Sequence, residues 1–370
     1  MASVFLMERA FMPLGAYIHI PFCDGKCPYC DFYSLKAGDR LKDRYTSALL
    51  SEIEKYSGET CDTIYIGGGT PLQLGEERLA KVLEKAVKTF GTPKEFTVEV
   101  NPAPNISKSF EALARCGVNR ISMGMQSAVP EELSALGRRH SPDDVLRAVD
   151  GAHKCGIENI SLDIMVGIPL QTAESLEYSA DFAAKAGAAH ISAYMLKIEP
   201  GTPFFDKKET LGAADDELSS ELYLNLCESM AQKGYNQYEI SNFAKNGFES
   251  KHNLKYWRCG EYLGLGCAAH SFYRGERYYH PRNIEDYIKN QTVIPDGKGG
   301  GTEEYVMLGL RLSKGIDTAK IAPISDDFLR TVGDLCKAGL ANFDGRFLSL
   351  TRRGFLVSNS IISALLERIR

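Results

Sequence analysis

The sequence predicts an α/β fold: a partial (β/α)6 barrel of the TIM type followed by a smaller, mainly helical C-terminal domain. Three observations predict it. Up to about residue 235, short apolar runs alternate with longer amphipathic ones, the pattern of strands joined by helical crossovers. Polar and glycine-rich residues cluster just after the apolar runs, at the end of the strands where barrel folds build their chemistry. From residue 303 onward the pattern is mainly helical. A doubly wound open sheet is the competing arrangement of the same elements. The expected domains are residues 1–240 for the barrel and 241–370 for the C-terminal unit, with a glycine-rich connector, "PDGKGGGT", near 295–302.

Six runs read as strands: 16–20, 63–66, 96–100, 119–122, 159–165 and 190–196. Between them, residues 40–56, 76–90, 108–116, 142–155 and 173–186 repeat apolar side chains at helical spacing. Repeated right-handed crossovers of this kind curl a parallel sheet toward a barrel. The strand ends carry the cysteine loop, "GGGTP", "NP", "MGMQS" and Asp163 in turn. From Tyr235 to Tyr287 aromatics and glycines dominate, and "GLANFDGRFLSLTRRG" reads as a small hairpin packed on the final helices.

With 370 residues, 44% hydrophobic and 25% charged, the chain can bury a large core. A net charge of −5 offers no general attraction for nucleic acid or anionic membrane, so neither is an expected partner. Glu8 and Arg9 interrupt the short N-terminal apolar patch too soon for a signal peptide, and no run is long enough to span a membrane. A reducing, cytoplasmic setting is therefore expected, where disulfides are disfavoured. Of ten cysteines, seven are scattered through apolar patterns and read as small buried side chains.

The other three lie together in "YIHIPFCDGKCPYCDF", as Cys23, Cys27 and Cys30. A structural zinc takes four ligands, usually as separated pairs, and only His19 stands near enough in sequence to complete one. An iron–sulfur cube also takes four cysteines, so three leave one iron with an open position. This C-x3-C-x2-C loop after the first strand of a βα barrel resembles the radical S-adenosylmethionine superfamily. The resemblance implies a [4Fe–4S] cluster on the three cysteines, with S-adenosylmethionine chelated at the open iron. It further implies that one electron from the cluster cleaves the cofactor's sulfonium, so an electron donor is an expected partner. Gly68, Gly69 and Thr70 would line the cofactor's methionine end, glycine allowing close backbone approach. Glu99, Gln126, Arg138 and Asp163 fall at or after later strands, where similar enzymes bind the cofactor.

"AYIHIPFC", "IYIGGGTP", "VEVNP", "GMQS" and "DIMVGIP", in that order, resemble the oxygen-independent coproporphyrinogen III oxidases and their relatives. In those enzymes Tyr17 and Tyr29 would contact S-adenosylmethionine. Two departures stand out. The oxidases carry Gly-Cys after the third cysteine, where this chain has Asp31-Phe32, and they have an N-terminal extension where only 16 residues precede Tyr17 here. Both are similar to the HemW branch, whose members act as haem chaperones. "HNLKYW", residues 252–257, is similar to that branch's H-N-x-x-Y-W motif and includes the only tryptophan in the chain.

The resemblance implies that haem is bound and passed to an acceptor haemoprotein, with His252 a candidate contact and His270, His280 and Cys259 nearby. The alternative is oxidative decarboxylation of coproporphyrinogen III; a radical methyltransferase is more remote. A homodimer, and peripheral membrane contact made through the acceptor, are compatible with the chaperone reading. "GLGCAA", residues 264–269, fits a degenerate dinucleotide fingerprint, but no preceding strand is evident, and it reads as close backbone packing.

Overall fold

The structure, a computed structural model, describes residues 12–321 and 323–369; the N-terminal apolar patch with Glu8 and Arg9 lies outside them. Six parallel strands form its centre: β1 (Leu14–Ile20), β2 (Cys61–Gly68), β3 (Glu95–Val100), β4 (Arg120–Gln126), β5 (Asn159–Val166) and β6 (His190–Met195). They pair in chain order, with no reversal among them. A doubly wound sheet requires a point where the order turns back. Without one, right-handed crossovers place the helices on one face, and the sheet curls around the other.

The alternation along each strand follows from this curl. Ile18, Ile66, Val98, Ile121, Leu162 and Ile191 are fully buried in one core with the covering helices. The intervening residues include Tyr17, Tyr65, Glu99, Arg120, Asp163 and His190, so the inner face is polar. The helices begin and end where local chemistry dictates. For helix Pro142–Lys154, Ser141 and Asp144 form a capping box behind Pro142, and Gly156 follows its end at φ +80°. A cap of this kind contributes about 1 kcal/mol.

The sheet continues past the boundary expected at residue 240. β7 (Asn236–Gln237) and β8 (Asn242–Ala244) add antiparallel strands outside β6. β9 (Tyr262–Leu265) pairs parallel with β1, and β10 (His270–Tyr273), β11 (Glu276–Tyr279) and β12 (Ile294–Lys298) extend that edge as an antiparallel meander. The glycine-rich segment read as a connector thus begins as an exposed edge strand. A second core, with Val306, Phe328, Leu348 and Leu365 at its centre, gathers the residues beyond about 300. It packs helices on a sheet of β13 (Ile316–Asp317), β14 (Ala341–Phe343) and β15 (Phe347–Leu350), the last two being the expected hairpin. Among the described residues no helix is long and apolar enough to cross a membrane.

Candidate functional site

The cysteine loop leaves the C-terminal end of β1 and borders a cavity of about 710 Å3 lined by Cys23, Cys27, Thr70, Asn101 and Arg138 among others. Cys23, Cys27 and Cys30 are half-buried free thiols. Polar groups tie the loop to the next strand ends. Arg138 donates to Asn101 Oδ1 at 2.7 Å and to the Gly124 carbonyl at 2.6 Å. Asn101 Nδ2 donates to Thr70 Oγ1 at 2.8 Å, and Thr70 Oγ1 lies 3.6 Å from Cys23 Sγ. Arg138 also donates to Cys27 Sγ at 3.7 Å. Burial pushes the Cys30 thiol up, a cost that an iron–thiolate bond would offset. The donor set fits a three-thiolate iron–sulfur cluster beside a polar cavity.

The glycine run is also closely packed within the protein. A Cβ on Gly67 would meet the Glu99 carboxylate at 2.8 Å, one on Gly68 the His19 ring at 2.5 Å, and one on Gly69 the Phe22 carbonyl oxygen at 2.5 Å. Gly68 also sits at φ +112°, outside the range of ordinary side chains. The run is therefore required by close packing within the protein itself.

Below the loop, the polar lumen is cross-linked. Tyr65 donates to Glu99 Oε1 at 2.8 Å and the Gly68 N–H to Glu99 Oε2 at 3.0 Å. The Tyr17 hydroxyl lies 2.9 Å from His19 Nδ1, and His19 Nε2 is 3.2 Å from the Tyr33 carbonyl. Ser122 donates to Asp163 at 3.4 Å. Burial, and then the Glu99 charge, push the Asp163 carboxyl up to about 7; burial raises Glu99 as well. Burial lowers His19 to about 4, leaving it neutral. Gln126, at φ 69°, stands where β4 breaks register against β5. The Tyr29 ring packs 6.0 Å from Phe204, and its hydroxyl meets Cys27 beside Arg138.

"HNLKYW" forms the helix Lys251–Trp257. It packs against the ends of the strands opposite the cysteine loop. Glu95, at the start of β3, accepts from the N–H groups of Lys251 at 2.8 Å and His252 at 2.9 Å. Lys255 donates to Asp62 at 2.8 Å, at the start of β2. His252 is 1% exposed, with Nδ1 2.9 Å from Thr63 Oγ1 and Nε2 2.7 Å from the Tyr256 hydroxyl. Burial lowers it to about 3. Its face is shared with Tyr256, as the four-residue spacing predicts, and both ring nitrogens are occupied.

A second cavity, about 410 Å3, runs beside β1 from the exit of the cysteine loop to this helix; Tyr17, Phe32, Tyr33, Tyr256, Tyr262 and His270 are among its lining residues. Phe32 is 69% exposed. His252 does not line it. "GLGCAA" begins within a buried strand, β9, contrary to expectation, yet the chain turns back into β10 rather than into a helix. Gly264 is there for packing: a Cβ would fall 1.8 Å from the His270 carbonyl oxygen.

Of the residues singled out from sequence, Cys23, Cys27, Thr70 and Arg138 meet at the first cavity, while Tyr17, Glu99 and Asp163 lie on the lumen face. Asn101 was missed as a site residue, although "NP" after the third strand marked the place. The aromatic cavity was missed altogether, because its walls come from four separated segments.

A three-thiol loop at the mouth of a six-stranded partial barrel defines a radical S-adenosylmethionine protein. Residues 17–183 match the family described as Radical SAM superfamily, and residues 302–357 match the HemN C-terminal domain. Heme chaperone HemW of Bacillus subtilis is 36% identical, across 96% of this chain and all of that one; the Escherichia coli heme chaperone HemW is 37% identical across 76% and 79%. The chain belongs to the HemW family. A solved Escherichia coli coproporphyrinogen III oxidase, HemN, shares the fold at a TM-score of 0.81 and 19% identity, over 98% of this chain and 93% of that one.

Proposed function

We propose that this chain binds haem and passes it to an acceptor haemoprotein, as its relatives' name describes. One observation carries the reading. Two of the sequence features that favour the chaperone branch over the oxidases, Asp31-Phe32 and "HNLKYW", reach the aromatic cavity. Phe32 and Tyr256 line it, and Asp31 pairs at 3.7 Å with Arg282, another lining residue. Aromatic walls suit a porphyrin face.

In this reading Cys23, Cys27 and Cys30 hold a [4Fe–4S] cluster, with Thr70, Asn101 and Arg138 binding S-adenosylmethionine beside it. When bound, the cluster and S-adenosylmethionine supply one-electron chemistry. The protein's own part is positional. Arg138 holds its charge beside Cys27, and the Arg138–Asn101–Thr70 chain fixes the cavity wall. Asp163, raised to about 7 by burial, keeps a protonated fraction near neutral pH that can donate a hydrogen bond into the lumen.

The test offers anaerobically reconstituted protein haem and, separately, coproporphyrinogen III with S-adenosylmethionine and a reductant. About one haem bound per chain, passed on to an apo-haemoprotein, supports the proposal. Formation of protoporphyrinogen IX without haem transfer would overturn it in favour of the oxidase.

A further inference from the structure

Within the aromatic cavity, one imidazole is uncommitted. Both ring nitrogens of His19 are engaged, by Tyr17 and by the Tyr33 carbonyl. His270 lines the same cavity, and no hydrogen bond to its ring is found among the described residues; it stacks on Tyr279 with ring centroids 4.9 Å apart. Stacking fixes the plane of a ring while leaving its nitrogen lone pair free. The outer cations differ in the same way. Arg277 is bound to Glu304 at 2.5 Å and 3.1 Å and lies over the Phe272 ring. Among the described residues, the one ion pair found for Arg282 is the long, solvent-exposed contact with Asp31.

We propose that the aromatic cavity is the haem seat, that His270 supplies the axial imidazole to the iron, and that Arg282 faces a propionate. This rests on the haem reading above and reassigns the iron contact from His252. To reach an iron, His252 would have to leave its buried bonds to Thr63 and Tyr256; its part is to position Tyr256 as cavity wall. His270 needs no such rearrangement. Burial, opposed by Asp296 and reinforced by Arg282 and Arg277, holds it below the usual histidine value and thus in the neutral form that ligates iron. A guanidinium pairs well with a carboxylate, and a propionate would displace only the long Asp31 contact.

The test titrates ferric haem, and haem dimethyl ester, into cluster-loaded protein followed by visible absorption and electron paramagnetic resonance. His270→Ala should shift the Soret band and weaken haem binding about tenfold or more, and added imidazole should restore the band position. His252→Ala should leave the band in place while lowering affinity a few-fold. Arg282→Ala should weaken haem several-fold and the ester little. Cluster iron content reports folding; if His270→Ala loses it, His270→Gln takes its place, with the same loss of imidazole signature expected. A wild-type spectrum and affinity in the folded His270 variant would overturn the assignment while haem binding stands. Failure of the wild type to bind haem would instead remove the reading beneath it.

Discussion

The two cavities differ in how far their polar groups are already spoken for. Around the cysteine loop, Arg138, Asn101, Thr70 and Cys23 form a continuous chain of contacts, and Arg138 also reaches Cys27. A site wired this way holds the cysteine loop in a fixed position, which suits a resident group built once and kept. The aromatic cavity is walled by rings, with an imidazole and a guanidinium left nearly free. That suits a cargo which enters and leaves, because little has to be broken at either step. On the proposed reading, the difference separates what the protein keeps from what it carries.

The largest effect should come from the wired side. Cys27→Ala should lose essentially all cluster iron, because two thiolates cannot retain a cube that lacks its fourth ligand. Iron analysis after anaerobic reconstitution checks this, and full retention would break the comparison at its first term.

A second effect separates the lumen from both cavities through pH. Asp163 is raised in the folded protein from 3.8 to about 7, so between those values the unfolded chain has released a proton that the folded chain still holds. Stability therefore falls as pH rises across that interval, by on the order of 4 kcal/mol in total. Asp163→Asn should flatten that dependence in denaturant titrations at pH 4 and pH 7. An unchanged slope would mean the carboxyl titrates normally.

Smaller, and aimed at the aromatic side, is Glu95→Ala. It removes the buried acceptor of two N–H groups at the start of helix Lys251–Trp257 and should cost about 2–3 kcal/mol. Because Tyr256 rides on that helix, haem affinity should fall while cluster iron stays. Smallest is Lys154→Ala, which breaks an exposed pair with Asp150 and should cost about 0.3–0.5 kcal/mol with no effect on either site.

Much of the barrel was legible because parallel strands buried on their helix side announce themselves. Each of the six expected runs falls on one of the parallel strands, within a residue or two at its ends except for the fourth, which stops at residue 122 while β4 runs on to Gln126. The meander β9–β12 was not legible: its strands are four or five residues long, and its edge strand "IPDGK" is exposed and contains proline and glycine. The cysteine spacing pointed to the loop, yet the reason for the glycines beside it lay in Phe22, His19 and Glu99, which only the folded chain brings close. For the same reason "HNLKYW" drew attention to His252. Sequence shows an imidazole; only structure shows whether its nitrogens are already taken.

The most direct measurement titrates haem into the Cys23→Ala/Cys27→Ala/Cys30→Ala variant alongside the cluster-loaded protein. If the two cavities are separate, the variant holds no cluster iron but still binds about one haem per chain with the same Soret position. Loss of haem binding together with the cluster, in protein that remains folded, would show that cargo and cluster share one site and would contradict the account.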